Sequence, residues 1–306
     1  MNDLRLRSRA PILGTLLPSA ASLPTVKGAW AMDLSAHADV MDAIKAGPKP
    51  EDLPRIKARM ANGPVWGSDA NGMTPEYFDP LFDSYVMPNG IGIINIVGPQ
   101  FARAFWFLQG YDMHRAAFRE MAMRENVTKV IVRIDSPGGD VSGLADMCAD
   151  LRALRDVKDV IIVIDRMACS AAQAIAAQGT LVVCPEDGTM GHAGVWIEHV
   201  DYSEAMAKEG IRPTYYSRGR YKLFFAGDIP KQVETDEVYN LMAGLAYDSL
   251  LEMIELGREG KMDKQDIKNT EARLYHGRSD GSLPDVVEVG FADEIGTFDD
   301  VMEMVG

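Results

Sequence analysis

The sequence predicts an α/β protein with a mostly parallel core sheet. Three runs rich in Val and Ile carry that reading: Ile91–Val97, Lys129–Asp135 and Asp159–Asp165. Each is short and bounded by turn residues, as are strands covered on both faces. Segments of helical spacing separate them, which implies right-handed crossovers between parallel neighbours.

Ahead of these strands, residues 1–80 read as an arm before a main domain of residues 81–306. The arm is rich in Pro, Gly, Ala and Ser and holds the breakers Gly47-Pro48-Lys49-Pro50 and Asn62-Gly63-Pro64. Short helices are expected at Asp33–Ala46 and Glu51–Ala61. In the domain, Phe107 to Asn126 has helical spacing, and Ser136-Pro137-Gly138-Gly139 makes a turn after the second strand. Val141 to Arg155 reads as an amphipathic helix with Leu144, Met147, Cys148, Leu151 and Leu154 on one face. An alanine-rich helix from Ser170 to Gln178 follows the third strand, and then a strand, Leu181–Cys184. A long helix over Thr235–Glu259, a short strand-like piece and a last helix close the chain.

Composition narrows the function. Of 306 residues, 47% are hydrophobic and 25% charged, the balance of an ordinary globular protein. Acidic residues outnumber basic ones 45 to 31, for a net charge of -14, and such a surface repels phosphate backbones. Nucleic acid is therefore not an expected partner. Three cysteines, Cys148, Cys169 and Cys184, are too few for a secreted disulfide framework. The apolar stretch Pro11 to Leu17 is broken by Gly14, and no run is long enough to span a bilayer. A soluble, cytoplasmic protein without a membrane partner is expected.

Three segments hold candidate chemistry. In Ile134-Asp135-Ser136-Pro137-Gly138-Gly139-Asp140, paired glycines directly after a strand let backbone N–H groups approach a ligand, as an oxyanion hole requires. The same pair also makes a plain strand-to-helix turn. In Met167-Ala168-Cys169-Ser170-Ala171-Ala172-Gln173, Ser170 opens a helix and is either its N-cap or a nucleophile with small neighbours around Oγ. Cys169 is the rival nucleophile, without an evident base, and reads as a small core residue. In Tyr215-Tyr216-Ser217-Arg218-Gly219-Arg220-Tyr221-Lys222, a lysine among aromatics such as Tyr221 and Phe224 is either desolvated, and so able to act as a neutral base, or an ordinary surface residue.

Taken together these segments resemble the signal peptide peptidase A family of serine proteases over roughly residues 88–300. The match continues through Gly191-His192-Ala193-Gly194-Val195 and ends on Glu288-Val289-Gly290-Phe291-Ala292-Asp293-Glu294-Ile295-Gly296. The resemblance implies the fold of the Clp protease proteolytic subunit and the crotonases, built of repeated strand-strand-helix units and assembled into rings or domes. It implies Ser170 as nucleophile, Lys222 as its base, and an oxyanion hole from the N–H groups of Gly139 and Ala171, with no metal or other cofactor.

Two positions depart from the family pattern. His192 stands where a serine is usual, and Ala171-Ala172-Gln173 replaces a segment containing tyrosine. His192 is thus an alternative base, by analogy with the Clp subunit, or a loop histidine; Gly138 is a further site-lining residue. A metal site from His192, His199 and Asp201 lacks supporting cysteine or glutamate spacing. The missing membrane anchor, and Trp30-Ala31-Met32 ahead of a helix, resemble the bacteriophage branch, whose members cleave scaffold and capsid proteins inside the procapsid. A homo-oligomer acting on peptide or protein substrates is expected. The rivals are a crotonase-type acyl-CoA enzyme and an inactive capsid-associated structural protein.

Overall fold

The computed structural model describes residues 30–32, 84–104, 109–279 and 281–306. Its elements begin β1 (Trp30–Met32), β2 (Ser84–Val86), β3 (Ile91–Val97), α1 (Tyr111–Met123), β4 (Lys129–Ser136) and β5 (Gly138–Asp140). There follow α2 (Leu144–Arg155), β6 (Asp159–Cys169), α3 (Ala171–Ala176), β7 (Leu181–Cys184), β8 (Thr189–Gly191) and α4 (Ser203–Lys208). The chain ends with α5 (Val233–Gly257), α6 (Lys264–Asn269), β9 (Leu274–His276), α7 (Val286–Val289), β10 (Glu294–Ile295) and α8 (Phe298–Val305). The helices expected at Asp33–Ala46 and Glu51–Ala61 lie outside the described residues.

The core sheet runs in the order β10-β7-β6-β4-β3-β2. Every pair in it is parallel except β2 with β3. The α/β class with a mostly parallel sheet therefore stands. Both faces are covered, which is why the strands are continuous runs of Val and Ile. Ile94, Ile96, Val132, Ile134, Ile162 and Ile164 pack under α1, α2, α3 and α5. On the opposite face Ile93, Ile131, Ile161 and Val163 meet Val301 and Phe298 of α8. The stripe read on α2 is the buried one: Leu144, Met147, Cys148, Leu151 and Leu154.

β6 departs from its expected end. It runs past Asp165 to Cys169 because it changes partners along its length. Ile161–Val163 pair with β7, whereas Met167–Cys169 pair with β8. On the other side the β4 register shifts between Ile134 and Ser136, and Ser136 then pairs with Ala168. Ser170 follows directly on the β8-paired end of β6.

The closing segment locks α5 to β7. The buried guanidinium of Arg258 donates to Gly290 O (2.8 Å), Ala292 O (3.0 Å) and both oxygens of Asp293 (2.9 Å each). Asp293 also accepts from Val182 N–H of β7 and from Lys261. Burial alone would raise the Asp293 carboxyl, but these donors outweigh it and hold it low. Among the described residues no helix is long and apolar enough to cross a membrane.

Candidate active site

Ser170 sits at the junction of β6 and α3 with φ 57° and ψ −114°, fully buried. A non-glycine residue at such angles stores strain of order 1–3 kcal/mol, and such strain persists only where the surrounding structure enforces it. Here Ser170 N–H donates to Gly191 O of β8 (2.8 Å), which fixes the turn. The side chain does not cap α3. Instead Oγ donates to Gly194 O at 3.1 Å. The first helical bond is Ala174 N–H to Ser170 O, so the N–H groups of Ala171, Ala172 and Gln173 precede the ladder.

β5 packs against α3 and carries Gly138 and Gly139. Gly138 has φ 110° and donates its N–H to Ser136 Oγ (3.2 Å). Gly139 is held by Gln100, whose N–H donates to Gly138 O and whose carbonyl accepts from Asp140 N–H, both at 2.9 Å. A Cβ on Gly139 would lie 1.9 Å from Gln100 O. The expected reason for glycine here was room for a ligand; the backbone of Gln100 already fills the space a side chain would take. Gly139→Ala should therefore cost about 1–3 kcal/mol in urea unfolding, through overpacking. Unchanged stability would mean that Gln100 moves freely.

Gln100 is itself braced. Its Oε1 lies 3.0 Å from Nε2 of the buried His114, and its Nε2 donates to Gly98 O (2.9 Å). Burial lowers the His114 imidazole to about 4. The unfolded chain, near 6.5, binds a proton there that the folded chain refuses, so stability is full above about pH 6.5 and declines as pH falls towards 4. His114 should contribute roughly 3 kcal/mol to that decline. His114→Gln should flatten this part of the stability-against-pH curve in urea titrations; an unchanged slope would assign it to other groups.

The two candidate bases lie in loops of different exposure. Lys222 is exposed, in a turn where its N–H donates to Gly219 O (3.2 Å). Its neighbour Tyr221 packs edge-on against Phe224 with centroids 4.8 Å apart. Among the described residues Lys222 Nζ and Ser170 Oγ share no hydrogen bond, and in the single chain Lys222 remains in contact with solvent. His192 is half-buried at φ 52°, its N–H donates to Arg273 O (2.9 Å), and its buried Nδ1 has no partner among the described residues. It makes no hydrogen bond to Ser170 either.

The remaining candidates serve the scaffold. His199 Nδ1 lies 3.2 Å from Tyr239 Oη, and Asp201 accepts from Ser203 N–H (2.9 Å), Ser203 Oγ (2.6 Å) and Lys231 N–H (3.1 Å). Cys169 is buried in the core, and burial pushes the thiols of Cys148 and Cys184 up to about 12. Three contributors were not read from the sequence. They are Gly194, as the acceptor for Ser170 Oγ; Gln100, as the brace of β5; and Gln173, whose Oε1 accepts from Gly191 N–H (3.2 Å). Next to Gly194 a cavity of about 300 Å³ opens, lined by small residues including Ala193, Ala243 and Gly244, with Tyr247.

Residues 152–305, just over half of the chain, match peptidase family S49. Capsid assembly protease C of Escherichia phage lambda is 26% identical over 218 residues, covering 69% of this chain and 48% of that protein. Head-tail preconnector protein GP5 of Enterobacteria phage P21 is 29% identical over 221 residues, covering 69% and 42%. The chloroplastic serine protease SPPA of Arabidopsis thaliana is 28% identical over 149 residues, covering 48% and 22%. The chain thus spans about half or less of the length of these curated relatives. Among solved structures, an enoyl-CoA hydratase from Shewanella pealeana ATCC 700345 has a TM-score of 0.43 at 9% identity, covering 72% of this chain and 69% of that one. Since the family model covers more than half of the chain, residues 152–305, the chain belongs to peptidase family S49.

Proposed function

We propose that the chain is a serine endopeptidase of phage head maturation, with Ser170 as nucleophile and Lys222 as general base. The observation that carries this reading is Ser170 itself: a strained turn between strand and helix, with Oγ left uncommitted to capping. In the proposed reaction, neutral Lys222 takes the Oγ proton as Oγ attacks the scissile carbonyl. The N–H groups of Gly139 and Ala171 stabilise the oxyanion, and protonated Lys222 returns the proton to the leaving amine. Water then enters as the second nucleophile and releases the acyl group. The small-residue cavity beside Gly194 is a recess for a substrate side chain. Scaffold and capsid proteins are the proposed substrates, in line with the phage capsid protease among the relatives.

Fluorophosphonate labelling of the full chain, followed by peptide mapping, tests the reading. Label on Ser170 is the expected result. An acyl-CoA enzyme or a structural protein of the same fold would take none, and that outcome overturns the proposal.

Lys222 must leave water to act as a base, and the proposal supplies this through assembly. Leu241 and Leu245, one turn apart on α5, are 63% and 64% exposed, and Tyr221 is exposed as well. Contiguous exposed apolar surface of this kind can mark an interaction site. We place a neighbouring copy there, closing over Lys222. Leu241→Lys with Leu245→Lys should shift light scattering towards the 33.5 kDa chain and lower turnover together. A monomeric wild type with full activity would remove the assembly from the mechanism.

A further inference from the structure

β1 is the part of the first 83 residues that the structure describes, and it lies on the proposed oxyanion strand. It runs antiparallel to β5, with Trp30 opposite Asp140, Ala31 opposite Gly139 and Met32 opposite Gly138. The other edge of β5 is taken by Gln100, which bonds Gly138 O and Asp140 N–H. Hydrogen-bonding groups alternate between the two edges of a strand. The N–H and C=O of Gly139 are therefore turned towards Ala31. The group proposed to hold a substrate oxyanion faces the chain's own backbone.

An extended peptide binds a sheet edge by adding a strand, and one edge admits one strand at a time. We infer that the β5 edge is the peptide-docking surface and that Trp30–Met32 is its intramolecular occupant, which a substrate must displace. This rests on the role proposed for Gly139. The pairing suits an occupant that leaves. It is three residues long, and β1 and β5 form a two-stranded sheet apart from the eight-stranded one. Isolated two-stranded pairings are marginal. An occupant on the same chain competes at a concentration set by its tether, so the restraint does not change with protein concentration.

Ala31→Pro in the full chain tests the inference, because proline removes the N–H that this position exchanges with Gly139 and lies outside the core sheet. The probe is a fluorescent peptide with the sequence of residues 27–35. Binding is read by anisotropy on the Ser170→Ala background, where no turnover is needed. The peptide should bind the Ala31→Pro chain about tenfold more tightly than the chain with Ala31, a difference on the scale of one hydrogen bond released from competition. With Ser170 restored, Ala31→Pro should lower KM by a similar factor, leave kcat unchanged and raise the rate of fluorophosphonate labelling, since the phosphonyl oxygen takes the same Gly139 N–H. Equal peptide affinity in the two chains, with only a lower Tm for the variant, makes β1 a structural pairing and overturns the inference. A chain that takes no fluorophosphonate yet binds the peptide more tightly after Ala31→Pro overturns the protease reading and leaves the occupied edge standing.

Discussion

Ser170→Ala should lower turnover by about 10⁵–10⁶-fold and abolish fluorophosphonate labelling, while the chain stays folded. The fold survives because the hydroxyl contributes a single side-chain bond, to Gly194 O. Losing it costs about 1 kcal/mol, or a few degrees in Tm for a domain of this size. The strained turn is set by other groups: the N–H of Ser170 bonded to Gly191 O, and β8 paired with the end of β6. The neighbouring Cys169 is buried at the end of β6 and is not positioned to take over the nucleophile's role. Turnover and labelling are measured on the purified variant with its assembly state matched to wild type. Full labelling of Ser170→Ala, mapped to another residue, would take Ser170 out of the mechanism.

Lys222→Ala should lower turnover by about 10²–10⁴-fold, the usual worth of a positioned general base. Lys222→Arg should fail as well, because a guanidinium does not give up its proton. His192→Ala should keep most of the activity, since Ser170 Oγ points to Gly194 O and not to the imidazole. The pH profile separates the two bases. With a lysine base, kcat/KM climbs as pH rises into the alkaline range, because the neutral amine alone accepts the serine proton. An imidazole base would bring the rate up near about pH 6.5 and hold it flat above. The reverse ranking, with His192→Ala dead and Lys222→Ala active, would replace the dyad with a histidine-based arrangement. Since Lys222 is exposed in the single chain, its variants should be compared with wild type at one protein concentration, with light scattering recorded for each.

By itself the sequence determined the class and most of the elements. β-Branched runs and a helical stripe are local signals, and Ile93, Ile131, Ile162 and the five apolar residues of α2 are buried as their spacing requires. Short motifs located the serine turn and the paired glycines for the same reason, since each is contiguous. The tertiary structure alone decided what those motifs touch. β6 reaches Cys169 because two different strands, β7 and then β8, pair with it. Ser170 Oγ finds its acceptor 24 residues later, and Gly139 is glycine because Gln100, distant in sequence, crosses it. Lys222, which the sequence left as either sheltered by Tyr221 and Phe224 or an ordinary surface residue, is exposed, while the two rings pack on each other. β1 covers β5 across more than a hundred residues of chain. Such partners are chosen by strand register and by which edges remain open, and neither is written in the periodicity of any one segment.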